Sequence, residues 1–370
     1  MNPKSILNLF SILVLFFSFS FLFPIIVSII YEDGALHLFL KTLIIVASIG
    51  LIGLFFTRKI KNELSQKDGF LIIVMFWIVL SAAGSVPFYL SGMSAVDSLF
   101  ESMSGITTTG ATVIANIDIL PESILFYRQL LQWMGGMGLI VLAIAVMPLL
   151  GIGGGQLYKT EIPGAMKEQK LTPRIKETAQ ALWVIYLGLT VACCLMYFIN
   201  GMTFFDAISH AMSTVAIGGF STHNESIGFF NSASIEFVCM SFMLLSAFSF
   251  TLHYFAIYKR KPLKYFYDPE LRFFISIIGL MLIFSTLMNL VSASNSGPTT
   301  WELLFHTISM VTTTGFSSSD TSDWPFSISF LLLVGAFIGA CSGSVGGGVK
   351  SWSCLLYTSD AADEGLGVDL

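Results

Sequence analysis

The chain has 370 residues, of which 55% are hydrophobic and only 11% charged, and its mean hydropathy is +0.80. Soluble domains carry about 25% charged residues, so this composition excludes a water-soluble globular enzyme, a disordered chain and a nucleic-acid binder, which needs clustered Lys and Arg against phosphate. The formal charge of −5 matters less than the side of a bilayer on which each charge falls.

Apolar runs long enough to cross a bilayer core, about 20 residues each, occur at 5–31, 36–57, 69–91, 124–150, 181–200, 231–258, 272–293 and 326–349. The first lacks the cleavage pattern of a signal peptide and more spans follow, so it reads as a true span. Three further segments, 94–106, 203–215 and 299–311, are too short. As helices they would cover about 18 Å of a core of about 30 Å. Each lies between an outgoing and a returning span, the position of a re-entrant helix, and irregular backbone after it is tolerated only where it lines a cavity.

The basic residues orient the spans. Arg58, Lys59, Lys61 and Lys67 share one connection, Lys159 to Lys176 another, and Lys259 to Arg272 a third. With Lys4 and Lys350, sixteen of the eighteen bases fall on one side, and only Lys41 and Arg128 near the other. The positive-inside rule makes the majority side cytoplasmic, with a cytoplasmic N-terminus. Arg128 is expected to face an interface or headgroups. The five cysteines, Cys193, Cys194, Cys239, Cys341 and Cys354, read as small buried hydrophobes rather than disulfides or metal ligands.

An internal repeat underlies this layout. Around Gly110, Gly219 and Gly315 the chain reads GITTTGA, TVAIGGF and MVTTTGF. Six positions upstream stand Ser104, Ser213 and Ser309; nine upstream, Glu101, His210 and His306. Farther back come Asp97, Asp206 and Glu302, then Ser94, Thr203 and Thr299, then Gly92, Gly201 and Gly297. The pattern Ser/Thr-x-x-Asp/Glu is a capping box, so three helices start in register near the outer surface. Each points a C-terminus of about half a negative charge toward mid-membrane, which favours a cation there. The β-branched residues of the strings are expected to hold an extended backbone, with the glycines supplying dihedrals others avoid. Successive carbonyls then replace a cation's hydration shell.

These residues resemble the Trk/Ktr potassium transporter superfamily, and within it the Trk-type membrane subunit. The resemblance covers about residues 1–352 and rests on TTTGAT (107–112), STVAIGGFST (213–222), VTTTGFSS (311–318), GGGQLYKTEIPG (153–164) and LTPRIKETA (171–179). It implies an all-α polytopic membrane protein, in which two leading spans precede four span–pore-helix–span repeats around one pore. It also implies potassium as the transported ion, with no organic cofactor, bound by backbone carbonyls at Thr108, Thr109, Ile217, Gly218, Thr313 and Thr314. Gly110, Gly219 and Gly315 would set the filter conformation. A homodimer and a cytosolic nucleotide-binding (TrkA-like) regulatory subunit are implied as partners, and the bacterial inner membrane as the location. In 341–350, CSGSVGGGVK, the glycines Gly343, Gly346, Gly347 and Gly348 would form an intramembrane gating loop. The same stretch is a near miss for a phosphate-binding loop, because Val349 stands where the lysine belongs.

The expected organisation is two spans in 1–67, pore repeat one in 68–152, a cytoplasmic linker in 153–178, repeat two in 179–260 and repeat three, incomplete at its end, in 261–353. The sequence departs from the family in showing three repeats rather than four. Residues 354–370 carry Asp360, Asp363, Glu364 and Asp369 without a base or an apolar run, and LYTSDAADE resembles adapter read-through, so this tail is expected to be non-native. One glycine per string predicts weaker K+/Na+ discrimination than four identical multi-site loops give; a less selective Na+/K+ channel is one alternative. The other is an alternating-access transporter of a small solute, against which the shared orientation of the repeats argues. No nucleophile–base pair, HExxH or CxxC occurs, so no enzyme is expected. Glu101, His210 and His306 are expected to hydrogen-bond around the filter, and GGMG at 135–138 to allow close helix packing.

Overall fold

The structure is a computed structural model, and it describes residues 3–57, 66–138, 175–291 and 297–351. Among these every regular element is helical. They fall into two compact units: 3–57, 66–138, 175–183 and 220–224 in the first, and 184–219, 225–291 and 297–351 in the second. The end of the fourth expected span, the linker up to residue 174, and the tail from 354 lie outside the described residues.

In the first unit α1 (Pro3–Ser18) passes through one 3-10 turn into α2 (Leu22–Tyr31), giving a continuous apolar stretch over Lys4–Tyr31. It turns at Glu32, in the left-handed conformation, into α3 (Leu36–Thr57). α1 and α3 approach closely at Gly50 and Gly53, where a methyl group would stand 2.9 Å from the Leu15 backbone and 2.1 Å from Ser11 Oγ. Small residues at such crossings let backbones pack where no hydrophobic drive exists between helices. α4 (Gln66–Leu90), α5 (Ala95–Ile106) and α6 (Glu122–Trp133) complete this unit's main helices. Their shared centre is Tyr127 of α6: the rings of Phe21, Phe39 and Phe88 stand 5.6, 5.5 and 5.4 Å from it, and its hydroxyl donates to Gly84 O at 2.9 Å. Such ring pairs contribute roughly 0.5–1.5 kcal/mol each beyond area burial. One side chain thus joins the two leading helices to the first repeat.

In the second unit α7 (Ile175–Ile199, from Val184 onward) is followed by α8 (Phe204–Ala216), α9 (Ala233–Ala247), α10 (Phe250–Ile257), the single turn α11 (Lys264–Tyr267), α12 (Pro269–Val291), α13 (Thr300–Val311) and α14 (Phe326–Ile338). The short helices α5, α8 and α13 coincide with the three re-entrant segments read from the sequence.

Two spans differ from expectation. The sixth, expected as one run over 231–258, is broken at Phe248–Ser249, where α9 and α10 meet at 95°. The eighth stops at Ile338 instead of 349, because Gly339 takes φ +75 and the chain folds back. The two breaks answer each other. The Cys341 amide donates to Ala247 O at 3.1 Å, and the Phe250 amide donates to Gly343 O at 3.0 Å. Each opened helix end therefore satisfies the other, as backbone polar groups inside a bilayer require.

Candidate functional site

The site begins with three helix starts. Ser94, Thr203 and Thr299 stand at extended N-cap positions, and each side-chain oxygen accepts from the amide three residues on, at 3.1, 3.1 and 3.3 Å. A cap of this kind contributes about 1 kcal/mol. Only Thr299–Glu302 closes the reciprocal box, with the Thr299 amide donating to Glu302 Oε2 at 2.7 Å. At the other two helices the shorter aspartate accepts from the capping hydroxyl instead, at 2.7 Å in each case.

The three helices also end alike. The amide two residues before each anchor glycine donates to a carbonyl three residues back: Thr108 to Gly105, Ile217 to Thr214, Thr313 to Met310, at 3.0, 3.1 and 3.0 Å. The next amide donates to the repeat's serine carbonyl: Thr109 to Ser104, Gly218 to Ser213, Thr314 to Ser309, at 2.9, 2.9 and 2.8 Å. The extended backbone expected for the β-branched residues is not what the chain adopts. Thr108, Ile217 and Thr313 have φ of +56, +54 and +65, and Gly110, Gly219 and Gly315 have +77, +79 and +84. A β-branched residue at positive φ is strained by roughly 1–3 kcal/mol. The same strain at the same position in three repeats points to function. Left-handed residues on either side of a normal one turn the amides back onto the helix end. Among the described residues, the carbonyls of Thr108, Thr109, Ile217, Thr313 and Thr314 accept no hydrogen bond.

Strings two and three, both in the second unit, touch. A methyl group on Gly219 would lie 2.0 Å from Thr314 O, whereas one on Gly315 would meet nothing within 4 Å. The glycine-rich loop lies against string three. The Gly347 amide donates to Thr313 Oγ1 at 2.8 Å, and a methyl group on Gly346 would come 3.1 Å from Thr312 O. Gly343 and Gly348 have φ of +73 and +81, and Gly348 packs so tightly on Gly339 that a side chain there would stand 2.5 Å from its Cα. Lys350 Nζ donates to Gly346 O, and Glu270 accepts from the Ser342 amide.

The ionisable residues nine positions upstream do not act alike. Nδ1 of His210 and of His306 contacts the carbonyl of its own helix, Asp206 and Glu302 respectively, at 2.9 Å. Glu101 instead faces the segment after string one, taking the Thr112 hydroxyl at 2.9 and 3.0 Å and the Val113 amide at 3.3 Å. It also pairs with Arg128 at 2.7 Å, and both side chains are fully buried. Arg128 therefore faces no headgroups: a desolvated guanidinium needs a buried anion, and Glu101 supplies it. The signal that could have found this pair is one base and one acid each lying within a membrane-embedded segment. A second feature is an outer polar clasp. Asn224 Nδ2 donates to Asn116 Oδ1 at 2.9 Å, its Oδ1 accepts from the Ile117 amide at 2.8 Å, and His223 Nδ1 stands 3.2 Å from Asp118. Sequence alone gave no sign of it, because its partners lie more than a hundred residues apart.

Comparison with known proteins gives the family. The family model TrkH, described as a cation transport protein, matches residues 36–362. The Trk system potassium uptake protein TrkH of Halomonas elongata is 50% identical over 368 residues, covering 98% of this chain and 76% of that protein. The protein of the same name from Vibrio parahaemolyticus is 48% identical over 371 residues, with the same two coverages. That from Escherichia coli K12 is 45% identical over 363 residues, covering 96% of this chain and 75% of its own length. The crystal structure of the potassium transporter TrkH from Vibrio parahaemolyticus superposes with a TM-score of 0.86 at 46% identity, covering 98% of this chain and 76% of that one. With a family match across most of its length, and three capped helices that end in the same Thr/Gly backbone, the chain belongs to the TrkH family of cation transport proteins.

Proposed function

We propose that this chain takes up potassium across the bacterial inner membrane, with the backbone carbonyls of the Thr/Gly strings as its ion ligands. The observation that carries the reading is the threefold backbone: a left-handed β-branched residue two places before a left-handed glycine, with the carbonyls of Thr108, Thr109, Ile217, Thr313 and Thr314 accepting no hydrogen bond among the described residues. Carbonyl oxygens turned away from their own amides are hard ligands suited to a weakly hydrated monovalent cation. The helix that ends at each string adds about half a negative charge. Thr108, Thr109, Gly110, Ile217, Gly218, Gly219, Thr313, Thr314 and Gly315 form the ion-binding set. No catalytic step is assigned to the protein. At −100 mV each inward charge gains about 2.3 kcal/mol, enough to accumulate the ion through a passive path.

Gly343, Gly346, Gly347 and Gly348 serve as the gating loop in this reading. What supports it is the Gly347–Thr313 hydrogen bond, which ties the loop to a filter residue, and the positive φ of Gly343 and Gly348, which a residue with a side chain rarely adopts. Replacing Thr313 by valine keeps the shape and removes the acceptor, so rubidium uptake without the regulatory subunit should rise about threefold or more, from one lost hydrogen bond. Tracer uptake into cells lacking that subunit measures this. A nucleotide-binding regulatory subunit, as the Trk system name of the relatives suggests, and a second copy of the chain are the proposed partners; the N-terminus is cytoplasmic.

Growth at limiting potassium tests the whole reading. An uptake-deficient bacterium receives the chain as it stands, and the chain continued by the final quarter of the Vibrio relative. Rescue by the continued chain is the expected result. Failure despite membrane insertion and a matched regulatory subunit would overturn the potassium assignment.

A further inference from the structure

We infer that Arg128 and Glu101 are positioning residues of the ion path, and that their buried pair sets how sharply potassium is preferred over sodium. The inference rests on the carbonyl-filter reading above and deepens it.

The pair links two segments that follow filter strings, both within the first unit. On one side the Glu101 carboxylate holds the Thr112 hydroxyl and the Val113 amide, two and three residues beyond Gly110. On the other side Arg128 donates from Nη1 to Ser221 O at 3.3 Å, and its guanidinium lies 4.2 Å from the centre of the Phe220 ring. Phe220 directly follows Gly219 in the chain. The Phe220 amide in turn donates to Gln132 Oε1 at 3.1 Å, four residues along α6 from Arg128. One helix therefore fixes the exit of string one through a carboxylate, and the exit of string two through a cation, a ring face and an amide acceptor.

The other repeats show that the scaffold alone does not require this charge. Seven residues past the N-cap, α6 carries Arg128, α9 carries Cys239 and α14 carries Leu332. Opposite positions on the short helices hold Glu101, His210 and His306. In repeat three, Leu332 and His306 are buried, and the left-handed string forms with His306 Nε2 making no hydrogen bond among the described residues. Two neutral residues thus suffice to build a string. A buried ion pair is expensive to desolvate and often no better for stability than apolar residues of the same size. Its presence in one of the three repeats among the described residues is explained if its task is to hold carbonyl positions to a tolerance that discriminates two cations of different radius. A rigid carboxylate with three donors limits the inward collapse of string one that the smaller sodium ion needs for coordination and potassium does not.

The test measures the ratio of rubidium to sodium flux in the continued chain used for the growth experiment. Thr112→Val removes one ligand of the carboxylate at an exposed position and leaves the ion pair intact; the ratio should fall about tenfold, the scale of a lost hydrogen bond to a charged group. Arg128→Gln and Glu101→Gln should lower it further. The double variant Glu101→His with Arg128→Leu copies repeat three, so it should accumulate in the membrane and pass rubidium, but with the reduced ratio. A purely structural pair predicts the reverse: the double variant would recover the full ratio, and Thr112→Val would leave it unchanged. Either result overturns the inference. If the unmutated chain shows no preference for rubidium over sodium, the filter reading itself fails, and that outcome is separate from the variants.

Discussion

Gly219→Ser is expected to collapse potassium selectivity. Two costs coincide at this residue. Its φ of +79 penalises any side chain by about 1–2 kcal/mol. The new Cβ would also stand 2.0 Å from Thr314 O, a carbonyl of the neighbouring string that cannot swing aside without moving the backbone of that string. The protein relieves the contact by shifting string two, string three or both. A loss of about tenfold or more in the rubidium-to-sodium flux ratio follows, since 1.4 kcal/mol of differential stabilisation corresponds to tenfold. Gly315→Ser is the matched control: φ is +84, but nothing lies within 4 Å of the added atom, so only the backbone penalty applies. The expected order is wild type, then Gly315→Ser, then Gly219→Ser, measured as paired ion fluxes at equal protein in the membrane. Equal ratios for the two serine variants would show that contact between the strings is not what matters.

Gly135→Val should prevent assembly of the first unit. Gly135 follows α6 in a π-helical turn over Met134–Gly138, and a Cβ there would fall 1.8 Å from the carbonyl oxygen of Ile106, the last residue of α5. The clash is between a Cβ whose position the backbone fixes and a main-chain carbonyl, so no rotamer change relieves it. Overpacking in well-packed interiors costs about 1–3 kcal/mol, and a collision with a main-chain carbonyl stands at or above the upper end. The helix end in question also carries string one, so partial accommodation would displace Thr107 and Thr108. Detergent-solubilised protein should show a loss of the monodisperse peak and a lower melting temperature. Gly188→Ala, whose added methyl would meet nothing within 4 Å, should match wild type in both.

Much of this organisation was legible in the sequence because it rests on local rules repeated three times. Hydropathy marked the long spans; the capping pattern set the starts of α5, α8 and α13 within a residue; the serine six positions before each glycine marked the bond that ends the helix. Backbone conformation within the strings was not legible. Propensity assigns Thr108, Ile217 and Thr313 to extended structure, and only tertiary constraint holds them in the left-handed region. The break at Phe248–Ser249 was hidden for a similar reason. An apolar run says that a segment is buried, not that it is straight, and the break is stabilised by a loop almost a hundred residues later. Arg128 was misplaced because its charge was weighed against the membrane interface, when a buried partner on α5 was available. Buried ion pairs leave little trace in a hydropathy profile.

The position of the bound ion decides whether the Thr/Gly strings are its ligands. Purified protein is crystallised in thallium or rubidium, and the anomalous signal locates the bound cations. Density is expected against the carbonyl oxygens of Thr108 and Thr109, and against those of Ile217, Thr313 and Thr314, with the signal lost when sodium replaces the heavier ion. Anomalous density confined to side-chain carboxylates or to the outer surface, with the Thr/Gly strings empty at saturating thallium, would contradict it.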